Sequence, residues 1–511
     1  MRLASWVYAL LLVAIASCGS PGTQTGQTSP PQAAPATPTA PAGGQASAAP
    51  ASQSSPVAGK PSSAASASAS PAAAVSPSPA GSASPVSAAA GDWLTYQHDP
   101  QRSGQAVGTF NAAATRLLWE SDPLDGDVYA QVLVMSERLF VATQNDTLYS
   151  LDAASGHVVW SQHLGDPVPR RALPCGNVDP TGVLSTPVID PAAGVLYAVA
   201  FVQPQPHHEL VALDVASGSI RFRQPIDPPG ANPLTHQQRS ALTLANGNVY
   251  VPYGGLFGDC GDYHGWVVAA SPSDGSQRAV YQVPTQREGA IWAPAGATLG
   301  AGSNLFVATG NGESTSDFDY GNAVVRLSPG LQAEDYFAPS DWAALSRRDA
   351  DLGSTNPTLL DNGLLLQVGK AGIGYVLQSD RLGQIGGELF QAPLCSGAYG
   401  GTAYSGDTAF IACRDGLAAV RVDSQSFAVL WHGPRFNAGA PTVTDSAVWT
   451  IDGGSATLYA LSRQDGSVMF RSSLSQSGSL PHFLSPSAAD GRVYHSRGKT
   501  IVAFGTGKSN G

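Results

Sequence analysis

Residues 138–160 read RLFVATQNDTLYSLDAASGHVVW. Short runs of β-branched, aromatic and apolar residues alternate here with the turn-formers Gln-Asn-Asp and Asp-Ala-Ala-Ser-Gly. Nothing in the stretch has the period of a helix, so it reads as three strands joined by tight turns. The same plan returns at 195–222 (VLYAVAFVQPQPHHELVALDVASGSIRF) and at 447–470 (AVWTIDGGSATLYALSRQDGSVMF). Fainter copies lie at 248–281 and 409–431. A unit repeated in this way cannot bury its own apolar face alone and must stack against its neighbours. The third strand of each unit ends near an aromatic or other large apolar residue: Trp119, Trp160, Phe222, Tyr281, Tyr336, Phe390, Trp431 and Phe470. The last segment, SPSAADGRVYHSRGKTIVAF (485–504), has no third strand of its own, and RLLWE (116–120) has no strands before it. The expectation is an all-β, eight-bladed β-propeller closed by that N-terminal strand, with seven blades as the alternative.

Outward from the repeats the composition changes. After Met1-Arg2 comes an apolar run, LASWVYALLLVAIAS (3–17), too short for a comfortable membrane span and placed like the core of a secretory signal. It ends in Ile15-Ala16-Ser17-Cys18, which resembles a bacterial lipobox, so residues 1–18 read as a lipoprotein signal peptide and Cys18 as the lipidated residue. Residues 19–90 are almost entirely Ala, Ser, Pro, Gly, Thr and Gln with Lys60 the single charge, a tether that buries too little to repay ordering. The folded part is 91–506. The chain is therefore expected to be exported, held to the membrane through its lipid alone, on the extracytoplasmic side of a bacterial envelope. A net charge of -11 argues against a nucleic-acid partner.

Four cysteines remain in the folded part. Cys395 and Cys413 flank a Gly-rich reversal and pair as neighbouring strands would allow; Cys175 and Cys260 pair by elimination. No C-x-x-C-H supports a covalent haem, no C-x-x-C spacing supports zinc, and no G-x-S-x-G elbow supports Ser-His-Asp hydrolysis.

The LDAASGHVVW-type repeat resembles that of quinoprotein alcohol dehydrogenases and of propeller lipoproteins sharing their fold. That resemblance implies the cofactor pyrroloquinoline quinone (PQQ) beside calcium on the propeller axis, or else a scaffold without cofactor. In the dehydrogenases a Trp floors the quinone, a Gly-Asn at a strand end ligates calcium, a later Asp is the base and a basic residue beyond it contacts the cofactor. The matching residues here, in order, are Trp292 in GAIWAPAG, Asn311 in ATGNGES, Asp351 in RRDADLGSTNP and Lys370 in VGKAGIGYVLQSDR. Each type suits its task. A flat indole stacks on a planar ring, an ionised Asp takes a hydroxyl proton, and calcium takes oxygen ligands. Arg287, Arg347 and Arg348 are further candidates for the carboxylates of PQQ. The chain also departs from the family. Its stretch GLFGDCGDYHGWV (255–267) lacks the acidic calcium ligand expected there as Glu and offers Asp259 or Asp262, and it has no adjacent cysteine pair. FAPSDWAALSRRDADLGSTNP (337–357) resembles the polyvinyl-alcohol-dehydrogenase-like branch, which implies a small alcohol or polyol substrate. The alternative is a non-catalytic scaffold or binding lipoprotein of the outer-membrane assembly type, with a protein partner. Structural roles stay open for each residue: Trp292 between blades, Asn311 in a turn, Asp349 and Asp351 holding a loop.

Overall fold

The computed structural model describes residues 89–474 and 480–506. The signal peptide, most of the tether and Cys18 lie outside the described residues. No described helix is long and apolar enough to cross a membrane.

The repeats form eight sheets, antiparallel except for a short parallel edge strand, Gln384–Ile385, added to the fourth. Blade 1 is built from Leu133–Met135, Arg138–Thr143, Thr147–Asp152 and Val158–His163, innermost to outermost. The outer strands of blades 2 to 7 contain or begin at the large residues read from the sequence, from Phe222 to Phe470. Blade 8 takes its outer strand from Arg116–Glu120, which pairs antiparallel with Thr500–Gly505 and so closes the ring. Middle strands are buried on both faces, as in Val195–Val202, because each blade is covered by two neighbours. Outer strands such as Ile220–Pro225 alternate half-buried and exposed residues, since one face meets solvent.

The repeated turn explains how blades dock. Asp214 accepts the N–H groups of Ala216 and Ser217 at 3.1 and 3.0 Å, which folds the turn tightly. Gly218 then adopts φ 73°, and a Cβ there would lie 2.6 Å from Trp160 of the preceding blade. Trp160 Nε1 donates to the Val215 carbonyl at 3.1 Å. Trp119 and Trp431 repeat this arrangement on Ala153 and Arg463. Each such aromatic buries apolar area worth about 1.5–3 kcal/mol.

One end of the axis is closed by residues 92–106. This segment bonds in turn to inner-strand backbone of blade 1 (Trp93 with Val134), blade 2 (Leu94 with Ile189), blade 4 (Pro100 with Leu299), blade 6 (Ser103 with Tyr404) and blade 7 (Ala106 with Val443). Buried Arg102 reaches Leu242 of blade 3. Tyr96 packs against Ala241, Ala295 and Ala440, and these small residues leave room for its ring at the centre. In the blade 6 inner strand Ala398–Ser405, Tyr404 meets this strap, while Tyr399, at the other end, lines a cavity.

Candidate functional site

That cavity has a volume of about 640 Å³. Trp292, Asp351, Lys370 and Asp259 all line it, with Arg239, Tyr399, His482 and Phe483.

Local backbone brings the first of these together. The strand Leu305–Ala308 runs into Gly310, where a Cβ would stand 2.9 Å from Asp351 Oδ1 and 3.2 Å from Trp292 Nε1. Only glycine lets the two side chains close on this point. Asn311 N–H then donates to Asp351 Oδ1 at 2.7 Å. On the other carboxylate oxygen sits Lys370, its Nζ 2.7 Å from Asp351 Oδ2 and 2.7 Å from Asp349 Oδ1. The same ammonium lies 5.6 Å from the centre of the Trp292 ring. Asp351 comes from the short loop that follows the helix Trp342–Arg347 and is buried. Burial raises its pKa, against the opposing pull of Lys370 and the Asn311 N–H. For Lys370 burial acts downward but is outweighed by Asp351 and Asp349, and its pKa rises.

Asn322 was not anticipated from sequence. Fully buried, it donates to Asn311 Oδ1 and Ser346 Oγ at 3.1 and 3.0 Å and accepts from Leu352 N–H at 2.7 Å, tying the two loops into one unit. An Asn in a polar loop carries no signal of such a role until the loops are seen together.

Asp262 does not join this group. Its side chain is 83% exposed and faces His264 at 3.8 Å. Asp259 reaches the cavity wall, where its Oδ1 accepts the Tyr263 hydroxyl at 2.6 Å. Arg287 pairs with Glu288 and Glu313, Arg348 with Asp341 at 3.6 Å, and Arg347 is exposed; none lines the cavity.

These positions decide the question of calcium, which takes about six to eight oxygen ligands. Both oxygens of Asp351 are bonded to groups of the chain, Asn311 Oδ1 faces an amide N–H, and Asp259 serves Tyr263. Among the described residues, the group of three acid, His or Cys ligand atoms close enough to share an ion is Cys395, Cys413 and Asp415. The expected donors therefore do not fit calcium, because a lysine ammonium already occupies the place between the carboxylates. A planar acidic ring system fits better: the walls offer Trp292, Tyr399 and Phe483 as flat surfaces and Arg239 and Lys370 as cations.

The disulfides lie at loop ends. Cys175 and Cys260 are bonded, with Cα atoms 6.0 Å apart, and join the loop carrying Asn177 to the loop carrying Phe257 and Asp259, all three at the cavity wall. Cys395 is bonded to Cys413, Cα atoms 6.1 Å apart.

Comparison with known proteins agrees with this architecture. The family model for outer membrane protein assembly factor BamB matches residues 103–353. A solved quinohemoprotein alcohol dehydrogenase from Comamonas testosteroni has a TM-score of 0.63 at 15% identity, covering 83% of this chain and 82% of that one. The chain has the eight-bladed propeller fold of these proteins. Other propellers similar to it include a europium-containing methanol dehydrogenase, with TM-score 0.62, 13% identity and coverage of 82% and 98%. BamB from Moraxella catarrhalis gives 0.51, 12%, 78% and 99%. At these identities the likeness of this propeller to each solved structure is one of fold. No curated protein matches the chain.

Proposed function

We propose that this propeller is a quinoprotein-type oxidoreductase that oxidises an alcohol or polyol, anchored through Cys18 outside the cytoplasm. The observation that carries the reading is the buried Asp351, held between the Lys370 ammonium and the Asn311 N–H beside Trp292 on the wall of an axial cavity.

PQQ would be held by Trp292 and Tyr399 as stacking surfaces and by the cavity's cations, and the chemistry it supplies when bound is acceptance of two electrons from the alcohol. The chain's own residues do the rest. Asp351 takes the hydroxyl proton; its raised pKa brings it nearer the range in which a carboxylate is an effective base. Lys370 keeps it ionised, and Asn311 and Asn322 fix its direction.

The test is calorimetric titration of the chain with PQQ, with and without Ca²⁺, followed by dye-linked oxidation of a panel of alcohols. Stoichiometric binding that chelators leave intact, with turnover lost in Asp351→Asn, is the expected result. No binding at high micromolar PQQ would end the reading.

One observation favours a second reading, a scaffold for a protein partner. The outer strands carry paired exposed apolar residues, Val158 with Val159, Val429 with Leu430 and Val468 with Met469, each 36–47% exposed. A chain that binds no PQQ yet loses a partner when Val158 and Val159 become Ser would be of this kind.

A further inference from the structure

Arg239 stands apart from every other cation of the cavity. It belongs to the inner segment of blade 3, between His236–Gln237 and Thr243–Ala245, and its guanidinium lies over the Phe483 ring, 4.3 Å from the centroid. Phe483 in turn meets Trp292, ring centres 5.9 Å apart, so one aromatic side chain links Arg239 to the Asp351 end of the cavity. Lys370, by contrast, is held by two carboxylates, and Arg102, which is fully buried, gives four hydrogen bonds to Thr95, Tyr96, Leu242 and Thr243. Among the described residues Arg239 makes no hydrogen bond and no ion pair, although a guanidinium brings five N–H donors.

The side chain is half-buried at the cavity wall, so its charge is only partly solvated and is free to be answered by an anion there. The acids on the cavity wall cannot answer it: Asp349 and Asp351 are committed to Lys370, and Asp259 takes the Tyr263 hydroxyl. Burial lowers the Arg239 pKa to about 10, which still leaves it charged at neutral pH. His482 beside it is neutral, its pKa pushed down to about 3 by burial and by Arg239 itself. The cavity thus contains one unanswered positive charge among aromatic walls.

We propose that a carboxylate of the cavity's ligand docks on Arg239, with the flat body of the ligand against Phe483 and Trp292. The planar fork of a guanidinium matches the two oxygens of a carboxylate. The proposal rests on reading this cavity as the ligand site and moves carboxylate recognition from Arg287, Arg347 and Arg348, which the sequence offered, to Arg239. The carboxylate belongs either to a tricarboxylate cofactor such as PQQ or to a hydroxy-acid substrate.

Arg239→Gln and Arg239→Lys, made in the full chain, test it in three measurements. Thermal unfolding of unliganded Arg239→Gln should occur close to that of wild type, since the half-buried guanidinium has no hydrogen-bond or ion-pair partner to lose; a structural arginine would give a marked fall. Calorimetry with PQQ should show affinity weaker by roughly 10- to 100-fold in Arg239→Gln and partly restored in Arg239→Lys. If instead PQQ affinity is unchanged and KM rises for a 2-hydroxy acid but not for a neutral alcohol, the carboxylate is the substrate's. A third probe separates this proposal from the quinoprotein reading: quenching of tryptophan fluorescence by 2-naphthoate compared with 2-naphthamide. Wild type that binds no PQQ but prefers the naphthoate, a preference lost in Arg239→Gln, leaves anion docking standing and removes the quinone. A variant that unfolds at a markedly lower temperature, or that keeps wild-type affinity for PQQ, hydroxy acid and naphthoate alike, overturns the proposal.

Discussion

The aspartates of the blade turns and the aspartate of the axial cavity use the same side chain in opposite ways. In the turns, Asp152 is held below the usual carboxylate range by the Ser155 hydroxyl and nearby N–H groups, and Asp214 by Arg221 and the Ser217 N–H. Asp274, Asp423 and Asp465 are lowered likewise by donors of their own turns. At least one oxygen of each is satisfied within a few residues. Asp351 is satisfied from far along the chain, by Asn311 and Lys370, and burial lifts its pKa. A carboxylate whose ionised form is stabilised locally builds structure; one whose ionised form is kept at a cost is available for proton transfer.

The sharpest way to break this contrast is to change both kinds. Asp351→Asn should reduce turnover by roughly 10²–10⁴-fold while the unfolding temperature moves by only a few degrees. Asp214→Asn should leave turnover unchanged. Comparable losses in steady-state kinetics would make Asp351 another structural aspartate. The next effect in size is on stability. Lys370→Met strands Asp351 without its counter-ion, at a cost of about 3–5 kcal/mol at pH 7. The sign with pH follows from a folded pKa raised further still: such a carboxyl contributes stability that is present at low pH and lost as pH rises through that pKa. The deficit of the variant in urea unfolding should therefore shrink steadily as pH falls from 7 toward 4.

What the sequence disclosed divides along the same line. The blades were legible because the repeat carries its own physics: a carboxylate to fold the turn, a glycine with φ 73° at Gly218, and the aromatic Trp160 that needs the space. Even the closing strand at Arg116–Glu120 was readable, as a third strand missing at one end and surplus at the other. Trp292, Asp351 and Lys370 were legible through their order along the chain, and they do meet. Arg239 and Asn322 were not, since neither type nor spacing distinguishes them; their meaning lies in what surrounds them after folding, an absent partner for one and two loops to join for the other. Asp262 was offered by its position near a glycine-aromatic pair, but the chain turns it to solvent.

Within the structural half of the comparison, Gly218→Ala should cost about 1–3 kcal/mol, because the added Cβ meets Trp160 and the backbone must leave its left-handed conformation. PQQ affinity should not follow, as the turn lies at the rim of the propeller rather than on its axis; a parallel loss in calorimetry would mean that blade docking and the cavity are coupled.

The smallest expected effect is the most discriminating. Asp214→Ala removes the acceptor of two turn N–H groups and of Arg221, at a cost of about 0.5–1 kcal/mol at pH 7. Because the folded pKa of Asp214 lies below the unfolded value, its contribution is present above that unfolded value and lost as pH falls through the folded one. The deficit should thus persist from pH 7 down to about 4, the ordinary aspartate range, and disappear only below it. The Lys370→Met deficit fades at higher pH, because the carboxyl it exposes has already taken up its proton. Two urea-unfolding series against pH, one for each variant, would show two fading points in that order. If they coincide, burial does not distinguish Asp351 from the turn aspartates, and its claim to carry the proton in catalysis falls with the distinction.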